Sequence, residues 1–176
     1  VYNDEYLLHD PDFELTRPQN MVHFMGEVFG DLKSSAVHLD YGGGKGTLAA
    51  LMRDNGWNSS SYDPFYDTGS SVGGPYNIVS MFEVVEHHPD PIALFDSVRA
   101  LLEPYGLIVF STLLSDNYVS HSIPGGEDWW YAKPRVGHVM LHSKDSVRHI
   151  ARRLGFGLKM IEDRGCVMGN FYSEIE

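Results

Sequence analysis

The sequence predicts an α/β domain with a mostly parallel sheet, and three observations carry that expectation. Short apolar runs alternate with segments of helical period. The first run ends in a glycine-rich loop that opens a helix, Asp40-Tyr-Gly-Gly-Gly-Lys-Gly-Thr47. The tail, by contrast, reads as two short extended runs separated by a turn, which adds antiparallel pairing at one edge.

The elements follow in order. Residues 1–16 are polar and aromatic without a period, and read as a surface arm. Thr16 is placed to cap a helix over Arg17–Phe29, with Pro18 tolerated in its first turn. Ala36–Asp40 is a buried strand. A helix spans Gly46–Asp54 and stops at Gly56. Ser59–Asp63 is the second strand. Pro64, Gly69, Gly73, Gly74 and Pro75 make the next twelve residues a loop, too poor in helix formers for a full crossover. Asn77–Met81 is a third strand. Asp90-Pro91 starts a helix whose apolar face is Ile92, Phe95, Val98, Leu101 and Leu102, with Pro104 and Gly106 ending it. Leu107–Phe110 is a fourth strand, and 114–137 a long loop carrying Trp129-Trp130-Tyr131. Ser143 caps a helix to Leu154, and Gly155 leads into a hairpin of roughly 157–163 and 166–172. With 176 residues, no repeat and no linker, one domain over 1–176 is expected.

Composition narrows the function. Thirteen basic residues against 24 acidic ones give a net charge of -11, a field that repels phosphate backbones, so nucleic acid is not an expected partner. No apolar run approaches a membrane span, and no basic leader precedes an apolar stretch, so no membrane and no secretory route are expected. The chain starts at Val1, so an upstream segment is open. Cys166 is the lone cysteine, which excludes an internal disulfide and fits the cytoplasm. The oligomeric state is left open.

Three ligands compete for the glycine loop. A triphosphate loop needs Gly-Lys-Ser/Thr, but Gly46 follows Lys45. A dinucleotide loop needs a third glycine where Thr47 stands, and the Asp40 carboxylate would repel a pyrophosphate. The same carboxylate suits a cationic ligand such as S-adenosylmethionine, whose own carboxylate is suited to loop N–H groups. Asp63 lies 21 residues after Gly42, where an acid can accept ribose hydroxyl bonds, and Phe65 is placed to lie against adenine.

Val37-His-Leu-Asp-Tyr-Gly-Gly-Gly-Lys-Gly46, Tyr62-Asp-Pro-Phe65, Tyr76-Asn-Ile-Val-Ser-Met-Phe-Glu-Val-Val-Glu-His87 with Pro89-Asp-Pro91, and Leu102-Glu-Pro-Tyr-Gly-Leu-Ile-Val-Phe-Ser-Thr112 occur in that order. Together, over roughly 36–156, they resemble class I S-adenosylmethionine-dependent methyltransferases, nearest the small-molecule group with a Glu-Val-x-Glu-His signature. The resemblance implies a Rossmann-like sheet with helices on both faces. It also implies a methyl group passed to an O, N or C acceptor, leaving S-adenosylhomocysteine (SAH). It places Asp40, Tyr41, Gly42 and Gly44 at the methionine part. Asp63 and Pro64 fall at the ribose, Phe65 at the adenine, and Met81 and Phe82 near the adenosyl and sulfonium region. The family usually has another strand and helix before the Tyr76 strand, so the sheet is expected to be one strand short. The rivals are a nicotinamide-dependent oxidoreductase and a non-catalytic cofactor-binding module.

Methyl transfer needs an aligned acceptor and, for many acceptors, a base. His87 is one candidate, against a purely structural bond to Glu86. His138 is a second, as base, substrate ligand or structural histidine. His138 and His142 stand four apart, but in a segment that reads as extended, so no metal site is expected. Trp129, Trp130 and Tyr131 are either a lid that stacks on substrate or a loop anchoring itself. Tyr2, Tyr6 and Arg17 are candidates to close the pocket, and Lys45 is expected to be solvated.

Overall fold

The computed structural model describes residues 16–67, 72–116, 129–133, 137–161 and 165–169. The arm with Tyr2 and Tyr6, most of the loop before Trp129 and the end of the hairpin lie outside those residues. The chain forms two compact units, Val1–Val72 and Gly73–Glu176.

In the first unit, α1 (Thr16–Phe29) runs into a 3₁₀ turn, Gly30–Leu32. Strand β1 (Val37–Tyr41), helix α2 (Thr47–Asp54) and strand β2 (Asn58–Tyr62) follow. β1 and β2 are parallel, from Val37 opposite Asn58 to Tyr41 opposite Tyr62. Helix α2 packs on β2 and on α1, burying Leu48, Ala49 and Met52 against a core with Met25 and Leu39. His38, inside β1, is fully buried, and its Nδ1 lies 2.8 Å from Ser59 Oγ. Both strands begin and end within one residue of expectation. Gly46 caps α2 in a left-handed conformation instead of being its first residue. The described residues of 63–75 hold neither helix nor strand, as their glycines and prolines dictate.

In the second unit, β3 (Tyr76–Phe82) and β4 (Leu102–Ser111) are parallel, joined through α3 (Pro91–Arg99). Helix α4 (Lys144–Leu154) precedes a hairpin of β5 (Gly157–Ile161) and β6 (Gly165–Gly169). β6 pairs antiparallel with both β4 and β5, so the order is β3-β4-β6-β5. The expected hairpin is there. Asp90 caps α3 by accepting from Ala93 N, with Pro91 just inside, as expected. Ser143 and Ser146 bond each other's backbone N–H reciprocally at the start of α4, and Gly155 ends it in the left-handed region.

One boundary is corrected. Helix α3 ends at Arg99, not Leu102, and β4 begins at Leu102 despite Pro104 and Gly106. The pairing jumps from Tyr76–Leu102 to Ile78–Leu107. The surplus residues form a bulge in which Pro104 and Tyr105 are exposed. Gly106 sits where a Cβ would come within 2.9 Å of the Tyr76 carbonyl oxygen, so it is required by close approach. Phe95 of α3 meets Phe110 of β4 edge to face at 5.1 Å. Six strands are described in all, and no described helix is long and apolar enough to cross a membrane.

Candidate active site

The first unit holds the glycine loop. Gly42, Gly44 and Gly46 have φ of 79°, 55° and 79°, a region costly for any side chain. Gly43 matters for a different reason: a Cβ there would collide with Ser61 Oγ and Asp40 Oδ2. Asp40 is 3% exposed and Asp63 is 7% exposed, two carboxylates drawn in beside one loop. Asp63 ties the loop together. Its Oδ2 accepts from Gly44 N at 2.9 Å and its Oδ1 from Phe65 N at 2.8 Å. Asp67 Oδ2 accepts in turn from Asp63 N. Gly42 N donates to the Tyr62 carbonyl and Gly46 N to that of Gly43. The N–H groups of Gly42 and Gly44 are thus spent within the fold. What these glycines offer a ligand is close approach to backbone. Pro64 and Phe65 stand at the surface, Phe65 at 85% exposure. Tyr66, which sequence reasoning passed over, lies 4.0 Å from where a Gly44 Cβ would be. Burial, then the charges of Tyr62 and Asp63, raise the Tyr41 phenol above its ordinary range, so it stays neutral.

The second unit holds the candidate chemistry. Met81 is fully buried and Phe82 half-buried at the end of β3. Glu83 follows at φ 55°, a left-handed conformation rare for a side-chain residue. Ser111 of β4 holds it there, accepting from Glu83 N and donating to Glu83 Oε1 at 2.7 Å. A 3₁₀ turn, Val85–His87, then buries Glu86 completely. Glu86 Oε1 accepts from the Tyr131 hydroxyl at 2.6 Å, and its carbonyl accepts from Val139 N and Met140 N. Burial first, and the Glu83 charge second, push the Glu86 carboxyl up to about 8, while the Tyr131 bond pulls the other way. Tyr131 is raised above the ordinary phenol range by burial and by the same two carboxylates.

Both candidate histidines come to this point. Their rings are 4.7 Å apart and nearly edge to face. His87 Nδ1 lies 3.1 Å from the Gly137 carbonyl, and His138 Nδ1 lies 2.6 Å from the Tyr131 carbonyl. A carbonyl only accepts, so Nδ1 is the donor in each ring and Nε2 carries the lone pair of the neutral form. Burial lowers the His138 pKa, so that ring is neutral near pH 7.

The aromatic run divides. Tyr131 is fully buried, stacks on Trp129 at 5.3 Å and receives a bond from Leu113 N, so these two anchor the loop. Trp130 is 53% exposed, with its ring 5.5 Å from that of Tyr131 and 6.5 Å from that of His138. His142 is buried, 3.5 Å from Ser146 Oγ and against the backbone of Val85, in a segment that is not helical. Sequence reasoning weighed the His138–His142 spacing and set it aside; the fold brings His138 to His87 and Glu86.

A family model described as "Methyltransferase domain" matches residues 13–159. The chain belongs to that methyltransferase domain family. Relatives of the domain include ubiquinone biosynthesis O-methyltransferases. That of Bordetella avium is 27% identical over 134 residues, covering 59% of this chain and 55% of that protein. That of Vibrio campbellii is 40% identical over 47 residues, covering 27% of this chain and 20% of that protein. The chain therefore spans from a fifth to just over half of these relatives. An O-methyltransferase family protein from Burkholderia thailandensis has a similar fold, with TM-score 0.60 at 16% identity, over 96% of this chain and 59% of that one. The magnesium protoporphyrin IX methyltransferase of Synechocystis, solved with SAH bound, gives 0.53 at 16% identity, over 87% and 80%. The domain has the Rossmann-like mixed α/β fold of methyltransferases, and nothing favours a nicotinamide-dependent enzyme.

Sequence reasoning missed two partners. Gly43 was not carried over, although it is the glycine of this loop with no room for a methyl group. Glu86 was seen only as a neighbour of His87, although it is the buried centre of the second cluster. Two acids three positions apart, Glu83 and Glu86, at the end of an apolar strand were the available signal.

Proposed function

We propose that this domain binds S-adenosylmethionine and transfers its methyl group to a small-molecule acceptor. The observation that carries the reading is the glycine loop folded against two buried carboxylates, Asp40 and Asp63. A loop that accepts negative charge beside it suits a cationic sulfonium ligand and opposes a pyrophosphate. Asp63 has lone pairs beyond its two backbone bonds for ribose hydroxyls. Exposed Phe65 offers a face for adenine. Asp40, Tyr41, Gly42 and Gly44 serve the methionine part, and the family resemblance assigns Met81 and Phe82 to the sulfonium region. The SAH-bound relative in fold supports the same cofactor.

The reaction is a displacement. The acceptor's lone pair attacks the methyl carbon, the C–S bond breaks, and its electron pair stays on sulfur as the thioether of SAH. The proton leaving the acceptor passes to Nε2 of His87 or His138, each oriented by a carbonyl at Nδ1. Trp130 shields that step from water. The net charge of -11 and the single cysteine suit a small-molecule enzyme of the cytoplasm.

Calorimetry on the whole chain tests this. Binding of S-adenosylmethionine and SAH at about micromolar Kd is expected, weakened in Asp63→Ala. Heat with a nicotinamide dinucleotide, and none with either sulfur ligand, overturns it. Methyl-labelled cofactor with a small-molecule extract then identifies the acceptor by its label.

A further inference from the structure

We propose that Glu86, His87 and His138 form a binding site for one divalent transition-metal ion of the Zn2+ class. One carboxylate oxygen and one ring nitrogen from each histidine lie within 4.8 Å of one another. Two imidazole nitrogens and a carboxylate are the donor set that holds such ions with positions left open, and the Glu86 carboxyl gives up its proton as the ion enters.

Two further observations point to an ion. Glu86 is fully buried, and its Oε2 has no hydrogen-bond partner among the described residues. A buried carboxylate oxygen left unbonded is costly unless something fills it. Its other oxygen is fixed by the Tyr131 hydroxyl. Both histidines are also held in the way ligating histidines are held. Each directs Nδ1–H to a backbone carbonyl, which sets the tautomer and leaves the lone pair on Nε2. One residue, Tyr131, supplies the second-layer bond to both Glu86 and His138, through its hydroxyl and its carbonyl.

The geometry asks for a small closure. Tetrahedral ligands at about 2.1 Å from an ion stand about 3.4 Å apart, so donors within 4.8 Å of one another draw in by about 1.4 Å at most. Glu86 is fixed by its burial, whereas His87 and His138 are both half-buried, so the closure falls to the two rings. The site binds without any cofactor, so it does not depend on methyl transfer. If the methyl-transfer reading holds, the open positions of the metal-loaded chain take an oxygen of the acceptor, and the histidines serve as bases only in the metal-free chain.

The test titrates the metal-free whole chain with Zn2+ by calorimetry and with Co2+ by visible absorption. One Co2+ per chain with low-coordinate d–d bands is expected, displaced by Zn2+. His87→Ala, His138→Ala and Glu86→Gln each should lose affinity at least about tenfold. His23→Ala, which removes the exposed His23–Glu27 pair on α1, should change nothing. If Glu86→Gln does not fold, His87→Ala decides, because its ring is half-buried and its loss leaves the core intact. Failure of both ions to bind stoichiometrically overturns the proposal. So does affinity unchanged in His87→Ala and His138→Ala, or lost in His23→Ala. None of these outcomes touches cofactor binding, which calorimetry with SAH reads separately.

Discussion

Single residues here are governed by burial more than by residue type. Asp40 and Asp63 were legible in the sequence because a strand end and a loop fix where they fall. Gly43 was not, since its need comes from Asp40 and from Ser61, eighteen positions on. His38 shows the same dependence. Nothing in Val37-His-Leu sets it apart, yet burial pushes its pKa down to about 4. The unfolded chain takes up that proton near pH 6.5 and the folded chain does not. Stability from this group is therefore complete above about pH 6.5 and is lost as the pH falls toward 4, by about 3 kcal/mol. Denaturant midpoints at pH 7 and pH 5 should differ less in His38→Gln than in the parent chain. Equal differences would show that His38 does not carry the linkage.

Elements were read well where their signals are local. Asp90-Pro91, Ser143 and Gly155 mark helix ends by backbone chemistry that involves only near neighbours. Ser143→Ala removes the cap that Ser143 Oγ offers to Ser146 N while keeping the Ser143 N–H bond to Ser146 Oγ, and should destabilise by about 1 kcal/mol in urea titration. Ser143→Asp should retain most of it. A Ser143→Ala chain as stable as the parent would mean that Arg99, which bonds the Leu154 carbonyl, and packing hold α4 without its cap. The start of β4 was misread for an equally physical reason. Pro104 and Gly106 are breakers in a regular ladder, and only the bulge opposite Tyr76 makes room for them. Whether a breaker ends an element depends on the strand beside it.

At the scale of the whole molecule, charge and order of motifs dominate. A net charge of -11 predicts no binding of a labelled DNA duplex at low salt in fluorescence anisotropy. A salt-sensitive rise in anisotropy would overturn that. By itself the sequence determined the alternation of strands and helices, the glycine loop and its two acids, and the residues able to do chemistry. Those features rest on periods and backbone preferences that act over a few residues. Only the tertiary structure decided which groups meet. Tyr131 reaches Glu86 across 45 positions and Gly137 reaches His87 across 50. No spacing rule encodes such pairs, because they are set by which loop the packed strands bring to the same end.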